Sequence, residues 1–285
     1  MNNAVQLQLF TGDPGAGPGQ RWRRGREHWV LPGRDHFEPA RWAVVRITDA
    51  EARPFVETHH YSGSYPAARL RYGLVDQWTG ELGGAAVLSV PVNKLVVTGA
   101  FPDLQPYEQS LELGRFVLLD EVGFCGETWF LARAYQLAAA AGVRGVVSFS
   151  DPMARTTAAG QVIFPGHIGR IYLAANATYC GRATARPIAL MPDGRVLSDR
   201  ALQKVRKDEQ GHGYVEELLR SYGARPRTIG QPGARWLVDA LDDVGARRSR
   251  HPGNHRYCFR LGPSAVRRRT RLGLVAEPYP RRNSR

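Results

Sequence analysis

LELGRFVLLDEVGFCGETWFLARAYQLAAAAGVRGVVSFSD, residues 111–151, is the stretch on which the fold of this chain turns. Its first part, 111–121, is short and mostly apolar, as expected for a strand buried on both faces. Thr128 to Ala141 has the composition of a helix and stops at Gly142, which suits a helix C-terminus. Residues 143–151 read as a second strand. Working outward, AVVRIT (43–48) is a strand, and Asp49 is placed to cap a helix with acidic residues in its first turn. Residues 69–92 read as two strands joined by a turn at Thr79-Gly80. Residues 167–179 read as a loop entering a helix. Over 41–190 this order predicts an α/β or α+β layer structure around a mixed sheet. Ser198 can cap the first of several helical segments over 198–243, and 255–262 is a final strand. There are no internal repeats and no heptads.

The ends are of a different composition. Residues 11–36 are rich in Gly, Pro and Arg, so 1–40 is expected to be a flexible basic arm. The core is expected over 41–197, a helical extension with the final strand over 198–262, and a disordered basic tail, opening on an arginine run, over 263–285. The 285 residues carry 39 Lys and Arg against 26 Asp and Glu, a formal charge of +13. All but Lys94, Lys204 and Lys207 of the basic residues are arginine. Such a charge expects a polyanion, nucleic acid first, although arginine also accumulates through genomic base composition. No apolar run reaches the roughly 18 residues of a membrane span, and no secretory signal opens the chain. Cys125, Cys180 and Cys258 form no CxxC pair, which suits a reducing cytoplasm.

Several polar residues stand where a core would place apolar ones. On a regular strand Arg115 shares a face with Leu113, Val117 and Leu119, and Glu112 shares the other with Phe116 and Leu118. Each buried charge needs a pair, a ligand or water, so this strand holds an ion pair or borders a cleft. The loop holding Gly123, Cys125, Gly126, Glu127 and Thr128 leads into a helix whose free amides could cradle a phosphate or pyrophosphate. On a helix, Tyr172, Asn176 and Tyr179 would form one polar stripe. Ser148, Ser150 and Asp151 end a strand, where ligand crevices often lie. His60, Tyr61 and Ser62 lie in a helix-to-loop passage. Adjacent His59 and His60 cannot by themselves form a two-histidine metal site.

Taken in order, HHYS (59–62), ELGRFVLLDE (112–121), SFSDP (148–152), GHIGRIYLAANATYCGR (166–182) and HPGNHRYCFRLG (251–262) resemble the Mom family of phage DNA-modification proteins. That family is itself similar to GCN5-related acetyltransferases. The resemblance spans about 41–262. It implies an acetyltransferase-like mixed sheet, splayed at its centre, with an acyl-CoA entering the split. The pyrophosphate of acetyl-CoA, or of a related acyl-CoA, would then meet 121–128, where the sequence departs from the usual Arg/Gln-x-x-Gly-x-Gly/Ala pattern. The implied activity is carbamoylmethylation-like modification of adenine N6 in double-stranded DNA, which blocks restriction enzymes. An iron centre is also associated with the family, with His59, His60, His167 and Asp151 as candidate ligands. On this reading Arg115 holds a phosphate or stabilises developing negative charge, and Ser148 and Asp151 orient the base or relay its proton. Tyr172 or Tyr179 is the general acid. His60, Tyr61, Ser62 and Asn176 contact a base that has left the stack. The alternatives are an acetyltransferase acting on a small amine, a protein or a hypermodified pyrimidine, and a DNA-binding accessory protein with no reaction.

One further segment stands apart. Gln6-Leu-Gln-Leu-Phe10 resembles the sliding-clamp-binding peptide of bacterial replication proteins, with a departure at Gln8. Leu9 and Phe10 would fill an apolar pocket on the clamp, and Gln6 would bond at its rim.

Overall fold

In the computed structural model, residues 19–23, 26–30 and 37–280 are described. Gln6 to Phe10 lie outside them. Strands β1 (Gly19–Arg23) and β2 (Arg26–Val30) pair antiparallel, from Gly19 opposite Val30 to Arg23 opposite Arg26. Part of the stretch expected to be a flexible arm is therefore strand.

The chain divides into two compact units, and not at the boundaries expected from composition. The first holds the chain up to Ser150, then Ile168–Gly181 and everything from His255. The second holds Asp151–His167 and Arg182–Asn254.

In the first unit the chain order is β3 (Trp42–Arg46), α1 (Asp49–His59), β4 (Ala68–Asp76), β5 (Leu82–Ser89) and α2 (Leu95–Ala100). Next come β6 (Ser110–Leu118), α3 (Gly126–Ala140) and β7 (Gly145–Ser150). After an excursion into the second unit come α4 (Arg170–Ala174) and β10 (Thr178–Arg182); later come β14 (His255–Arg260) and α8 (Ser264–Arg269). Seven strands form one sheet in the order β10-β14-β7-β6-β5-β4-β3. Strands β3 to β6 run antiparallel to one another, β14 runs antiparallel to β7, and β6 and β7 are parallel. A parallel pair needs a crossover, and α3 supplies it. The α+β fold with helices on a mixed sheet is thus as expected.

Helix α1 begins with a capping box rather than at Asp49. The Thr48 hydroxyl accepts from the Glu51 amide at 3.3 Å, and the Glu51 carboxylate takes the Thr48 amide at 2.7 Å. Ala52 and Val56 of α1 are fully buried, Val56 in one cluster with Ala85 and Val87 of β5. Phe130, Leu131, Ala134 and Tyr135 of α3 pack against Leu111, Leu113, Val146 and Phe259. Each such large side chain contributes about 1.5–3 kcal/mol by leaving water.

The expected disordered tail is ordered as far as Pro280. Leu272 and Leu274 pack on the cluster around Phe101, Tyr279 stacks on Tyr179 at 6.1 Å, and the Glu277 amide donates to the Tyr179 carbonyl at 2.9 Å. Three apolar side chains hidden among arginines outweigh the charge of the segment. Arg267, Arg268 and Arg269 stay exposed on α8.

The second unit holds β8 (Arg155–Thr156), β9 (Val162–Phe164), β11 (Arg186–Leu190) and β12 (Val196–Leu197). It continues with α5 (Asp199–Arg206), α6 (Gly213–Ser221), α7 (Gly233–Asp243) and β13 (Arg247–His251). The Ser198 hydroxyl caps α5 as expected, accepting from the Ala201 amide at 3.1 Å. Leu202, Val205, Val215, Leu219, Trp236 and Leu237 form the core of the three helices with Met191. A sheet of order β12-β11-β13 completes the unit.

Candidate active site

Strands β6 and β7 pair only from Ser110 opposite Gly145 to Leu113 opposite Ser148. Beyond that point β6 stays with β5 while β7 stays with β14, so the parallel pair parts. A bulge sits at the same place. Leu88 faces Leu113 and Val87 faces Arg115, so Gly114 is the extra residue. Cross-strand partners share a face. Glu112 faces Ser89 and Arg115 faces Val87, so both project from one side, with Leu113 on the other. Strict alternation places Arg115 with Leu113, and the bulge overturns it. Gly114 is required here, because a Cβ would run into the Ser89 hydroxyl and Pro66.

Arg115 is anchored by the loop after α1. Its Nε donates to the Ser64 carbonyl at 2.8 Å and its Nη2 to the Ser64 hydroxyl at 2.7 Å. Burial works to lower its pKa, against the pull of Tyr61 and Glu112. Burial likewise raises the Glu112 carboxyl above the usual glutamate range, opposed by Arg115. Among the described residues the Glu112 carboxylate accepts no hydrogen bond. Strict alternation puts Glu112 on the far face from Arg115 and so leaves it out of the site.

On the other side of the sheet stands a tyrosine cluster. Tyr257 of β14 lies 5.0 Å from Tyr172 and 5.3 Å from Tyr179, ring centre to ring centre. Tyr172 is buried, and its hydroxyl is raised well above the usual phenol range by burial and further by Tyr61, Tyr257 and Glu112. Tyr61 and Glu112 thus act electrostatically on both Arg115 and Tyr172, across the place where the strands part. Tyr179 shares a short hydrogen bond with His255 Nδ1, 2.8 Å. The expected stripe does not form. Helix α4 is only five residues long, and Asn176 at φ +59° ends it in the left-handed conformation that asparagine tolerates. The Ala177 amide closes the end on the Tyr172 carbonyl at 2.9 Å, and Tyr179 lies on β10 instead.

Other expected residues are placed differently. Ser148 pairs with Leu113 and Tyr257, so it points to the side away from Arg115, where its hydroxyl sits beside Tyr135. His60 turns its Nδ1 to the Ser62 hydroxyl at 2.8 Å and stacks on Tyr61 at 4.3 Å. Asp151 belongs to the second unit. It is bound to Arg155 and to His251 Nε2 at 2.9 Å, while His251 Nδ1 accepts from the Gly253 amide at 3.0 Å. Burial works to raise the Asp151 carboxyl, but Arg155, the Met153 amide and His251 together hold it below the usual range.

Two cofactor expectations meet these residues poorly. In the 121–128 loop, Gly126 serves packing, since a Cβ there would strike Val122 and Phe37. Gly123 and Glu127 already have partners, the Thr128 hydroxyl donates to the Cys125 carbonyl at 3.1 Å, and Glu127 brings negative charge to the helix start. The acidic Glu127 at the helix start opposes a pyrophosphate there, while the Glu127 and Thr128 amides begin the helix. For iron, no three His, Cys, Asp or Glu side chains converge among the described residues. His59 packs on Phe55 at 4.8 Å and His167 on Phe164 at 6.0 Å, and the His167 backbone amide donates to the Asp151 carbonyl at 2.7 Å.

A helix-covered mixed sheet whose parallel pair parts, with Glu112 and Arg115 on one face of the opening and Tyr172 on the other, defines an α+β fold with a polar opening at its centre. The sequence profile of the Mom protein family matches residues 41–281, and the chain belongs to that family of modification enzymes. No curated relative matches the chain. Among solved structures, the tandem GNAT protein from the clavulanic acid biosynthesis pathway is 10% identical, with a TM-score of 0.39, over 78% of this chain and 99% of that one. A GNAT family acetyltransferase from Elizabethkingia anophelis with acetyl-CoA bound is 9% identical, TM-score 0.35, over 78% and 99%. The GNAT family N-acetyltransferase from Escherichia coli in complex with CoA is 12% identical, TM-score 0.34, over 81% and 88%. Among the described residues no helix is long and apolar enough to cross a membrane.

Proposed function

We propose that this protein modifies adenine N6 in double-stranded DNA by transfer of an acyl-derived, carbamoylmethyl-like group. The observation that carries the reading is that Glu112 and Arg115 stand on one face and Tyr172 on the other where β6 and β7 part, with Tyr61 in electrostatic reach of both Arg115 and Tyr172. The exocyclic amine of adenine is a weak nucleophile and must lose a proton as its new bond forms. Glu112, whose carboxyl burial raises above the usual glutamate range, is the base for that proton. Tyr172 stays protonated at neutral pH and donates to the group that leaves the donor. Arg115, held on Ser64, faces the negative charge that develops between them. Tyr61 borders both. Adenine N6 lies in the major groove of the duplex, so the base must leave the stack to reach a cluster this buried. The exposed arginines of α8 suit phosphate contact.

Nucleoside mass spectrometry of DNA from cells expressing the protein tests this directly. The expected result is an adenine nucleoside of raised mass, absent with Glu112→Gln. A shifted pyrimidine, or unaltered DNA beside active modification of a small amine, overturns it.

A further inference from the structure

We infer that the edge of the smaller sheet, strands β11 and β13, is a second binding surface for the phosphates of duplex DNA. This inference rests on the DNA substrate proposed above and adds a region to which neither the reaction nor the termini assign a task.

The arginines of the second unit fall into two groups. Around the helices four are neutralised: Arg200 by Glu209 at 2.6 Å, Arg206 by Asp199 at 3.3 Å, Arg225 by Asp243 at 2.9 Å, and Arg227 by Asp208 at 2.5 Å, while Arg220 and Arg235 stand exposed singly. On the sheet edge they are not. Arg186 of β11 and Arg247, Arg248 and Arg250 of β13 are all exposed, and none has an acidic partner among the described residues. Residues 182–191 and 245–260 contain no Asp or Glu at all. Strand β13 is an edge strand in the order β12-β11-β13. Its register sets Arg248 opposite Ala189 and Arg250 opposite Pro187 on one face, with Arg247 opposite Leu190 on the other. Two arginines two residues apart on one face stand about 7 Å apart along the strand, and Arg247 projects from the opposite face, where it donates to the Thr156 carbonyl at 3.0 Å.

A charged edge also protects a sheet from pairing with other chains, and that needs an explanation here too. Protection is indifferent to the sign of the charge. This edge is positive throughout: four exposed arginines stand together on two paired strands with no carboxylate among them, whereas four of the arginines around the helices are matched by carboxylates. Guanidinium groups free of carboxylates bind phosphate oxygens in pairs, and each phosphate neutralised releases counterions. Such a surface gives affinity without reading sequence.

The test is binding of the full chain to a short fluorescent DNA duplex between about 50 and 200 mM salt. Arg247→Gln, Arg248→Gln and Arg250→Gln together should lower the slope of log affinity against log salt by about 2–3, roughly 0.9 for each phosphate no longer neutralised. Arg200→Gln, which removes an arginine already matched by Glu209, should leave the slope unchanged. Should the triple variant aggregate, Arg248→Gln and Arg250→Gln singly should each lower the slope by about 1. A slope unchanged in these variants, with the parent chain still binding and modifying DNA, overturns this inference and leaves the proposed function standing. A parent chain with no salt-dependent affinity for DNA overturns both. Tighter binding of duplex RNA than of duplex DNA, with the slope change seen only on RNA, also overturns it.

Discussion

Two clusters in this molecule pair a carboxylate with an arginine, and they are opposite in character. Asp151 is surrounded: Arg155, His251 and the Met153 amide all serve it, and its pKa falls despite burial. Glu112 is left alone apart from the field of Arg115, which spends its own hydrogen bonds on Ser64 and Gly114, and burial raises its pKa. A satisfied carboxylate holds a fold together. A buried carboxylate with few donors is pushed above its ordinary range, the direction that suits acid–base chemistry. Burial and residue type are common to both; the number of donors separates them.

The sharpest test of that contrast is Glu112→Gln, which should lower the initial rate of DNA modification by roughly 100- to 10,000-fold while the thermal melt stays near that of the parent. Tyr172→Phe, which removes only the hydroxyl, should cost about a hundredfold in rate with the fold retained. Asp151→Asn should do the reverse. It strands Arg155 and His251, so chemical denaturation should show a loss of about 3 kcal/mol, while the rate per folded molecule stays near that of the parent. Gly114→Ala forces a Cβ against Ser89 and should destabilise by about 1–3 kcal/mol, with a rate loss as Arg115 is turned away. The smallest effect is in the pH dependence of stability. The Asp151 carboxyl has a lowered pKa, so its contribution is present above the ordinary aspartate range and is lost as pH falls through its folded value. The Glu112 carboxyl has a raised pKa, so its contribution is present below the ordinary glutamate range and is lost as pH rises through its folded value. Unfolding curves of Asp151→Asn and Glu112→Gln against the parent should therefore diverge with pH in opposite directions. Parallel curves would erase the distinction drawn between the two clusters.

Much of the fold is legible in the sequence. Apolar runs at 111–121 and 143–151 around a helix ending before Gly142 become β6, α3 and β7 with ends shifted by a few residues. Arg115 and Tyr172 can be picked out as candidates because a polar group amid apolar neighbours stands out at any spacing, and the structure places both where β6 and β7 part. Glu112 is not placed correctly, because one extra residue at Gly114 inverts every face assignment beyond it. A glycine inside a strand is the available signal for such a bulge. Asp151 looks chemical at the end of a strand until Arg155 and His251, a hundred residues further on for the latter, are folded against it. The tyrosine stripe fails for a local reason: the helix that would carry it ends at an asparagine able to turn left.

The place of β14 has a consequence for how this enzyme comes into being. It lies between β7 and β10, yet it is made after the whole of the second unit. A ribosome must therefore release residues 255–260 before the larger sheet receives an inner strand, and Tyr257 reaches Tyr172 and Tyr179 only then. Pairing across so long a span of chain is a slow, late step. A nascent or prematurely ended chain has the Glu112–Arg115 half of the site and lacks the strand that seats its tyrosine half. The larger sheet is complete only once residues 255–260 have been made and paired with β7.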